Sequence, residues 1–277
     1  MIELERVLAA NGFAVEDGIP LLVRGGSEHS RLQARHFDRE PDEEFEIERP
    51  WKTTPLYAWT IAEKFRRSVA GIAELLPGAT ALTVCGGSGM EAELLARQGA
   101  EVVCSDISLG AARRARERSR RHGVPLAAVV ADAERLPFAD ASFDVVYVHD
   151  GLHHLERPED ALAEMARVAR VAVSLTEPAD AVLTRAAVRA GLALSREPAG
   201  NRVVRFRLDE LAARLHALGF EVVRAERYGL YYRHRPGPIS RALSRPPLLP
   251  LAAGTVRAAN AVAGRLGNKL TVQAVRR

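Results

Sequence analysis

The feature that most constrains this fold is a regular alternation of short apolar runs and segments with helical periodicity between residues 81 and 176. The apolar runs predict five strands, at 81–85, 101–105, 126–131, 143–149 and 171–176. Helical segments separate most of these strands, at 90–98, 109–122 and 158–169. Strands joined through helices run parallel in a sheet that is covered on both faces. The alternation therefore predicts a Rossmann-like α/β core.

Residues 1–50 precede this core and predict an N-terminal extension. Two apolar runs within 13–23 are separated by the turn-forming residues 16–18, a pattern that is typical of a small hairpin. The polar stretch 24–50 is rich in acidic residues, and it predicts a loosely packed arm or linker.

The predicted domain spans residues 51–277. It begins with a helix, because Thr54 and Pro55 form a capping hydroxyl followed by a proline in the first helical position. Two further strands are predicted at 220–225 and 268–275. The expected fold is a mostly parallel seven-stranded sheet with helices on both faces, and a C-terminal cap insertion at about 227–267 between the last two strands.

Composition excludes several classes of protein. Of the 277 residues, 47% are hydrophobic and 27% are charged, which indicates a globular chain and not a disordered or fibrous one. The two cysteines cannot form a disulfide framework and fit a reducing compartment. The apolar stretches are shorter than the ~20 residues of a membrane span, and the first ten residues are too charged for a signal peptide. A cytoplasmic location without a membrane span is expected.

Charge is distributed unevenly along the chain. The net charge is +4, yet residues 1–50 carry twelve acidic and six basic residues, whereas residues 224–277 carry eleven basic residues and one acidic residue. Arginines and tyrosines interleave in the basic segment and could bind RNA or one anionic small molecule. Its position between two strands favours a cap over the substrate, and nucleic acid is not the expected partner. The apolar segment 251–266 predicts a helix that belongs to the cap or lies against a membrane surface, and ordinary packing is preferred.

A glycine-rich turn follows the first core strand and opens directly into a helix. In the run 85–89, glycines let the backbone approach a ligand, and the helix N-terminus offers unpaired N–H groups. Asp106 ends the next strand, where a carboxylate can accept hydrogen bonds from both ribose hydroxyls. Separately, these features are a tight turn and a helix N-cap. Together they predict a nucleoside cofactor, and the spacing Gly87-x-Gly89-x-x-Ala92 also fits a dinucleotide fingerprint.

Two downstream features distinguish between these cofactors. Asp132-Ala133 follows the third strand, and the run 142–146 opens the fourth. With the glycine turn and Asp106, these residues resemble the class I S-adenosylmethionine-dependent methyltransferases, especially those that modify small molecules, over about residues 78–176. The resemblance implies S-adenosyl-L-methionine as the cofactor. It also implies methyl transfer to oxygen or nitrogen of a small-molecule acceptor, anionic or apolar.

The resemblance also implies which residues contact the cofactor. Gly87 and Gly89 would pass the methionine part, Asp106 would hold the ribose, and Asp132 would accept from the adenine amino group. The predicted cofactor-binding residues are Cys85, Gly86, Gly87, Gly89, Asp106, Ile107, Asp132, Ala133 and His149. Thr83 and Cys85 stand where the family usually has an acidic residue and a glycine.

His153 and His154 follow the fourth strand and are the candidate catalytic residues. His153 is expected to face the pocket and His154 to be packed, and a purely structural role for both is an open alternative. No metal site is predicted, because neither cysteine lies near His149, His153 and His154. Glu177 ends the fifth strand, where a helix-capping role is preferred to a role in substrate binding.

Three alternative functions remain open from the sequence. They are an RNA methyltransferase, an NAD-dependent oxidoreductase and a non-catalytic cofactor-binding protein. We also expect the acidic arm with the first helix and the segment 227–267 to close over the pocket as a lid, because the open edge of the sheet would otherwise admit water. The oligomeric state is not predicted.

Overall fold

The computed structural model describes residues 6–9, 12–23, 25–189, 203–230 and 235–277. Within them the strands are β1 (Ala14–Glu16), β2 (Ile19–Leu21), β3 (Thr80–Val84), β4 (Glu101–Asp106), β5 (Leu126–Val130), β6 (Phe143–His149), β7 (Ala169–Pro178), β8 (Phe220–Tyr228) and β9 (Lys269–Arg276). The α-helices are α1 (Glu28–Asp38), α2 (Glu43–Glu48), α3 (Pro55–Val69), α4 (Met90–Arg97), α5 (Leu109–His122), α6 (Pro158–Val168), α7 (Val182–Arg189), α8 (Leu208–Ala217), α9 (Pro238–Leu243) and α10 (Leu248–Ala263).

One sheet contains all these strands, in the order β1-β2-β5-β4-β3-β6-β7-β9-β8. The strands from β2 to β7 pair in parallel, and β9 is inserted antiparallel between β7 and β8. The predicted α/β Rossmann-like fold is therefore confirmed. The predicted number of seven strands is wrong by two, because the N-terminal hairpin joins the sheet through the pairing of Leu21 with Val130.

Helices cover both faces of the sheet, because successive strand residues point to opposite sides. In β3, Leu82 and Val84 join the apolar core under α6 and α8, whereas Ala81 joins the core under α3, α4 and α5. Both cores consist mainly of fully buried aliphatic residues. The sheet is thereby held rigidly, and the loops at the carboxyl ends of its strands have a fixed support.

The acidic arm forms α1 and α2, which pack against α5. Ser27 and Asp42 cap the two helices by accepting hydrogen bonds from the backbone at Ser30 and Phe45. Asp38 Oδ1 accepts hydrogen bonds from Ser108 Oγ and Gly110 N, both at 2.8 Å. The arm is therefore attached to the core at the end of β4.

The C-terminal segment packs on α3. Ser240 Oγ lies 2.8 Å from Thr54 Oγ1, and Ser244 Oγ accepts a hydrogen bond from the N–H of Leu56. The guanidinium of Arg235 lies 3.0 Å from Asp42, which connects the basic segment to the acidic arm. Of the basic segment, in which arginines and tyrosines interleave, residues 231–234 lie outside the described residues. None of the described helices has the length and hydropathy of a membrane-spanning segment.

Candidate active site

A cavity of about 270 Å³ opens at the carboxyl ends of β3, β4, β5 and β6. Eight of the nine predicted cofactor residues line it, and so does one of the two candidate catalytic histidines. These lining residues are Cys85, Gly86, Gly87, Asp106, Ile107, Asp132, Ala133, His149 and His154. The sheet topology explains this convergence, because parallel strands bring the loops that follow them to one edge.

Gly89, predicted as a cofactor contact, is not among the residues that line the cavity. Its φ of +76° begins α4 in the left-handed region, and a Cβ there would lie 3.0 Å from the Cβ of Ala115. Gly89 is thus required for the turn and for close packing on α5. Gly87 differs, because a Cβ added to it would meet no atom within 4 Å. This open space beside the backbone of Gly87 suits close approach by a ligand.

Asp106 supports the glycine turn. Its Oδ2 accepts a hydrogen bond from Gly87 N at 2.8 Å, and its Oδ1 accepts one from Ser108 N at 2.9 Å. The N-cap of α5 is Ser108, which excludes the capping role considered for Asp106. Burial raises the pKa of Asp106, and the two N–H groups oppose that effect. Each carboxylate oxygen keeps a second lone pair, so the group can also accept from a ligand hydroxyl.

Asp132 lies beside Asp106 at the end of the neighbouring strand. Its Oδ1 accepts a hydrogen bond from Glu134 N at 3.0 Å, and burial raises its pKa. Both carboxylates therefore face one cavity from adjacent strands, with spare acceptor capacity. A nucleoside presents hydroxyl and amino donors that such a pair can bind.

Both cysteines are free thiols, Cys85 in the cavity lining and Cys104 buried in β4. Burial raises the pKa of Cys85 well above its ordinary value and raises the pKa of Cys104 to about 12. The thiolate is the nucleophilic form of cysteine, so a thiol held protonated is a poor nucleophile. The cavity wall formed by Cys85 is consequently compatible with an electrophilic ligand.

His149 ends β6 with one ring nitrogen in use and the other available. Nδ1 lies 2.9 Å from the hydroxyl of Tyr147, which itself lies 2.7 Å from Ser68 Oγ. Nε2 is buried and has no hydrogen-bond partner among the described residues, although Asp150 Oδ2 lies 3.9 Å away. Burial, and then the charge of Lys64, lower the pKa of His149 well below 6.5. The imidazole is therefore neutral at pH 7.

Asp150 joins two lysines from distant parts of the chain. Lys64 Nζ lies 3.1 Å from Oδ2, and Lys269 contacts Oδ1. Burial alone would raise the pKa of Asp150, but the charges of Lys269 and Lys64 outweigh burial and hold the pKa well below its ordinary range. Lys64 and Asp150 both line the cavity, which is thus strongly charged near β6.

The positions predicted for the two adjacent histidines are reversed. His153 is 5% exposed and its Nδ1 lies 2.7 Å from Glu177 Oε2, outside the cavity lining. His154 lines the cavity, and its ring packs edge-on against Phe37 at 5.4 Å between centroids. The backbone N–H groups of Gly151 and Leu152 both donate to Glu177, which turns the chain and directs His153 inward.

Glu177 is fully buried and acts in neither of the ways considered for it. It accepts hydrogen bonds from the turn after β6, so it is not a cap of α7, which begins at Val182, and it does not line the cavity. One possible metal-ligand atom from each of Asp150, His153 and Glu177 lies within 4.8 Å of the other two. Lysines already hold Asp150, and hydrogen-bond donors already hold Glu177, so we interpret the group as an internal polar network.

The arm supplies one side of the cavity, which the sequence did not predict in detail. His29, Gln33, Phe37 and Arg49 are among its lining residues, and the caps at Ser27 and Asp42 were the available signals of ordered helices. In contrast, the predicted cap at about 227–267 contributes none of its described residues to the lining, because it packs on α3 instead.

The central part of the chain is similar to known protein sequences. A family profile described as a methyltransferase domain matches residues 82–174. A demethylmenaquinone methyltransferase of Renibacterium salmoninarum is 37% identical over 107 residues, which are 39% of this chain and 44% of that protein. A ubiquinone/menaquinone biosynthesis C-methyltransferase, UbiE, of Cupriavidus metallidurans is 39% identical over 99 residues, which are 35% of this chain and 41% of that protein. The chain thus matches less than half the length of these relatives.

Solved structures share the fold over most of the chain. Magnesium protoporphyrin IX methyltransferase (ChlM) from Synechocystis PCC 6803 with bound SAH has a TM-score of 0.61 at 18% identity, covering 89% of this chain and 99% of that one. The [4+2]-cyclase SpnF has a TM-score of 0.60 at 20% identity, covering 91% of this chain and 97% of that one. At these identities, the likeness concerns the fold alone.

Proposed function

Because residues 82–174 form a methyltransferase domain of the class I S-adenosylmethionine-dependent fold, we propose that the protein transfers a methyl group from S-adenosylmethionine to a small-molecule acceptor. The observation that carries the proposal is the pair Asp106 and Asp132, which face one cavity from adjacent strands beside the open backbone of Gly87. Their spare lone pairs suit the ribose hydroxyls and the adenine amino group.

The ends of β5, β4, β3 and β6 all border the cavity. Asp106 and Asp132, at the ends of β4 and β5, would hold the adenosine part of the cofactor, and the glycine turn after β3 would pass its methionine part. When bound, S-adenosylmethionine supplies a methyl group on a positively charged sulfur that a nucleophile attacks in line. Cys85 lines the same cavity, and its protonated thiol would not compete for the methyl group.

The acceptor lies near β6, where His149 presents the unpartnered Nε2. A hydroxyl or N–H group on the acceptor satisfies this buried atom by donating a hydrogen bond to it. A neutral imidazole can then take the proton as the nucleophile forms, and Asp150, 3.9 Å from Nε2, stabilises the resulting positive charge. Because the pKa of His149 is low, this step suits an acceptor whose own proton is acidic.

A phenol or an enol is the acceptor class that fits these requirements. Its hydroxyl proton is acidic, and after proton loss its negative charge is shared between the oxygen and a neighbouring carbon. The sequence predicts oxygen or nitrogen as the methylated atom, whereas the name of the relative from Cupriavidus metallidurans specifies carbon. A phenolic or enolic acceptor accommodates methylation at either oxygen or carbon, so we keep both atoms in the proposal.

Calorimetry with the full chain tests the cofactor. We expect binding of S-adenosylhomocysteine and no binding of NAD. Binding of NAD alone would favour the oxidoreductase alternative and overturn the proposal.

A second experiment tests transfer. The protein is incubated with a panel of phenols and enols and with S-adenosylmethionine carrying a ¹³C-methyl group, and products are analysed by mass spectrometry and carbon NMR. The carbon shift of the new methyl distinguishes attachment to oxygen from attachment to carbon. Cofactor binding without any labelled product, in this panel or in a metabolite extract, would instead indicate a non-catalytic cofactor-binding protein.

A further inference from the structure

Helix α10 has apolar side chains on its exposed face as well as on the face that packs against the protein. Ala253 is its one buried residue, and Asn260 faces inward, where its side chain bonds the backbone N–H and C=O of Gly229 at 2.6 and 2.9 Å. In contrast, Leu251 is 67% exposed and Val262 is 89% exposed. A surface helix of a globular protein normally has charged and polar residues on its exposed face.

The exposed apolar residues form one continuous stripe. Leu248, Leu251, Ala258 and Val262 recur at helical spacing and are exposed, and Thr255, whose hydroxyl donates to the carbonyl of Leu251, lies between them. At 1.5 Å per residue, the stripe from Leu248 to Val262 extends over roughly 21 Å. Helix α9 contacts α10, and its Ile239 is also exposed, at 77%.

Positive charges lie at both ends of this stripe. Arg241 and Arg245 precede α10 and Arg265 follows it, and all three side chains are exposed. Residues 227–277 contain no aspartate or glutamate. An apolar stripe bordered by arginines is the pattern of a helix that lies in the interface of an anionic bilayer.

We propose that the α9–α10 surface, residues 238–263, docks on an anionic lipid bilayer. The apolar stripe enters the boundary between headgroups and acyl chains, while the arginines contact the headgroup phosphates. A second copy of the chain is a poorer occupant, because a symmetric contact would bring two strongly basic segments together. This proposal does not depend on the proposed enzymatic function.

Sedimentation with lipid vesicles tests the proposal on the full chain. We expect the protein to sediment with vesicles that contain phosphatidylglycerol and to remain in solution with vesicles of phosphatidylcholine alone. Binding should weaken as salt is added, because salt screens the arginines. Failure to bind the anionic vesicles at low salt would overturn the proposal.

Substitutions in the stripe test its location. The double variant Leu251→Glu/Val262→Glu should reduce vesicle affinity about tenfold or more, since it places charge at the acyl boundary. The matched control Val15→Glu/Leu75→Glu changes two exposed apolar residues elsewhere and should bind like the unmodified chain. Equal binding by the two double variants would overturn the proposal.

Sedimentation velocity without lipid tests the alternative that a second copy of the chain covers the stripe. If the chain forms a dimer that the Leu251→Glu/Val262→Glu variant abolishes, and anionic vesicles are not bound, the stripe is an interface between copies and the proposal is wrong. Circular dichroism of both double variants verifies that they are folded. Because all four positions are exposed, we expect unchanged spectra.

Discussion

The two ends of the cavity are constructed in different ways. At the β4–β5 end, Asp106 and Asp132 accept hydrogen bonds from backbone N–H groups close to them in sequence or in the adjoining turn. At the β6–β7 end, Asp150 pairs with Lys64 and Lys269 from distant elements. The first end is thus set by local chain geometry, whereas the second depends on the complete tertiary fold. Substitutions should therefore affect ligand binding at the first end and stability at the second.

The largest expected effect is on stability at the β6–β7 end. Glu177→Ala should lower the free energy of unfolding by about 3–5 kcal/mol, because three buried donors lose their acceptor. Urea denaturation measures this change. The matched control is Glu159→Ala on the exposed side of α6, and a loss no greater than that of the control would contradict the structural role of Glu177.

The next effect concerns binding at the β4–β5 end. Asp106→Ala should weaken binding of S-adenosylhomocysteine by about 1–3 kcal/mol, the scale of lost hydrogen bonds to a charged group. Calorimetry gives the affinity, with Asp140→Ala as the control at a carboxylate that is 80% exposed. Unchanged affinity would remove Asp106 from the site, and the contrast between the two ends would then be lost.

A smaller effect is the dependence of stability on pH at the β6–β7 end. The unfolded chain binds a proton on His149 below about pH 6.5, whereas the folded chain resists it because its pKa is well below that value. The free energy of unfolding should therefore decrease as the pH falls from 6.5, by at most about 1.4 kcal/mol per pH unit from this residue. Urea denaturation at pH 7 and at pH 5, on either side of the ordinary histidine pKa of about 6.5, measures this change.

His149→Gln should flatten this pH dependence while its side chain can still hydrogen-bond Tyr147. The exposed His216→Gln on α8 is the matched control and should keep the slope of the unmodified chain. If the two variants give the same slope, the buried imidazole is not the source of the acid sensitivity.

The smallest effect is a change in backbone protection over the cavity. We expect S-adenosylhomocysteine to slow hydrogen exchange in α1 and α2, whose residues line the cavity, and in the turn around Gly87. The lid predicted from the sequence extends this protection to 50–66 and 227–245. Protection confined to the glycine turn and the ends of β4 and β5 would exclude a closing role for either segment.

The β4–β5 end could be predicted from the sequence because its geometry is local. The glycine turn and the carboxylates at the ends of β4 and β5 follow directly from strand boundaries, which apolar periodicity indicates. Parallel pairing then brings Asp106 and Asp132 together without further information. The sequence predicts seven strands in the sheet and not nine, in part because β1 and β2 have only three residues each. The pairing of β2 with β5 rests on Leu21 and Val130.

The β6–β7 end could not be predicted because its side chains are placed by distant partners. Nothing near His153 and His154 in the sequence indicates that Glu177, more than twenty residues later, hydrogen-bonds His153. This contact holds the imidazole of His153 inside the protein. The cavity wall formed by the arm has the same origin, since Asp38 is bonded to Ser108 across seventy positions. The acidic composition of residues 24–50 is typical of a loosely packed arm, so it does not predict these contacts.

Arg118 on α5 shows what this attachment means for folding. Its side chain is fully buried, and it bonds the carbonyls of Ser88 and Glu46 and the carboxylate of Glu93. One guanidinium thus connects the glycine turn, α4 and the arm. A chain that begins after residue 50 would keep the buried charge of Arg118 but would lose the carbonyl of Glu46, which is one of the hydrogen-bond acceptors of that charge. Arm and core should accordingly melt in a single cooperative transition, although the residues that match the methyltransferase-domain profile, 82–174, do not include the arm.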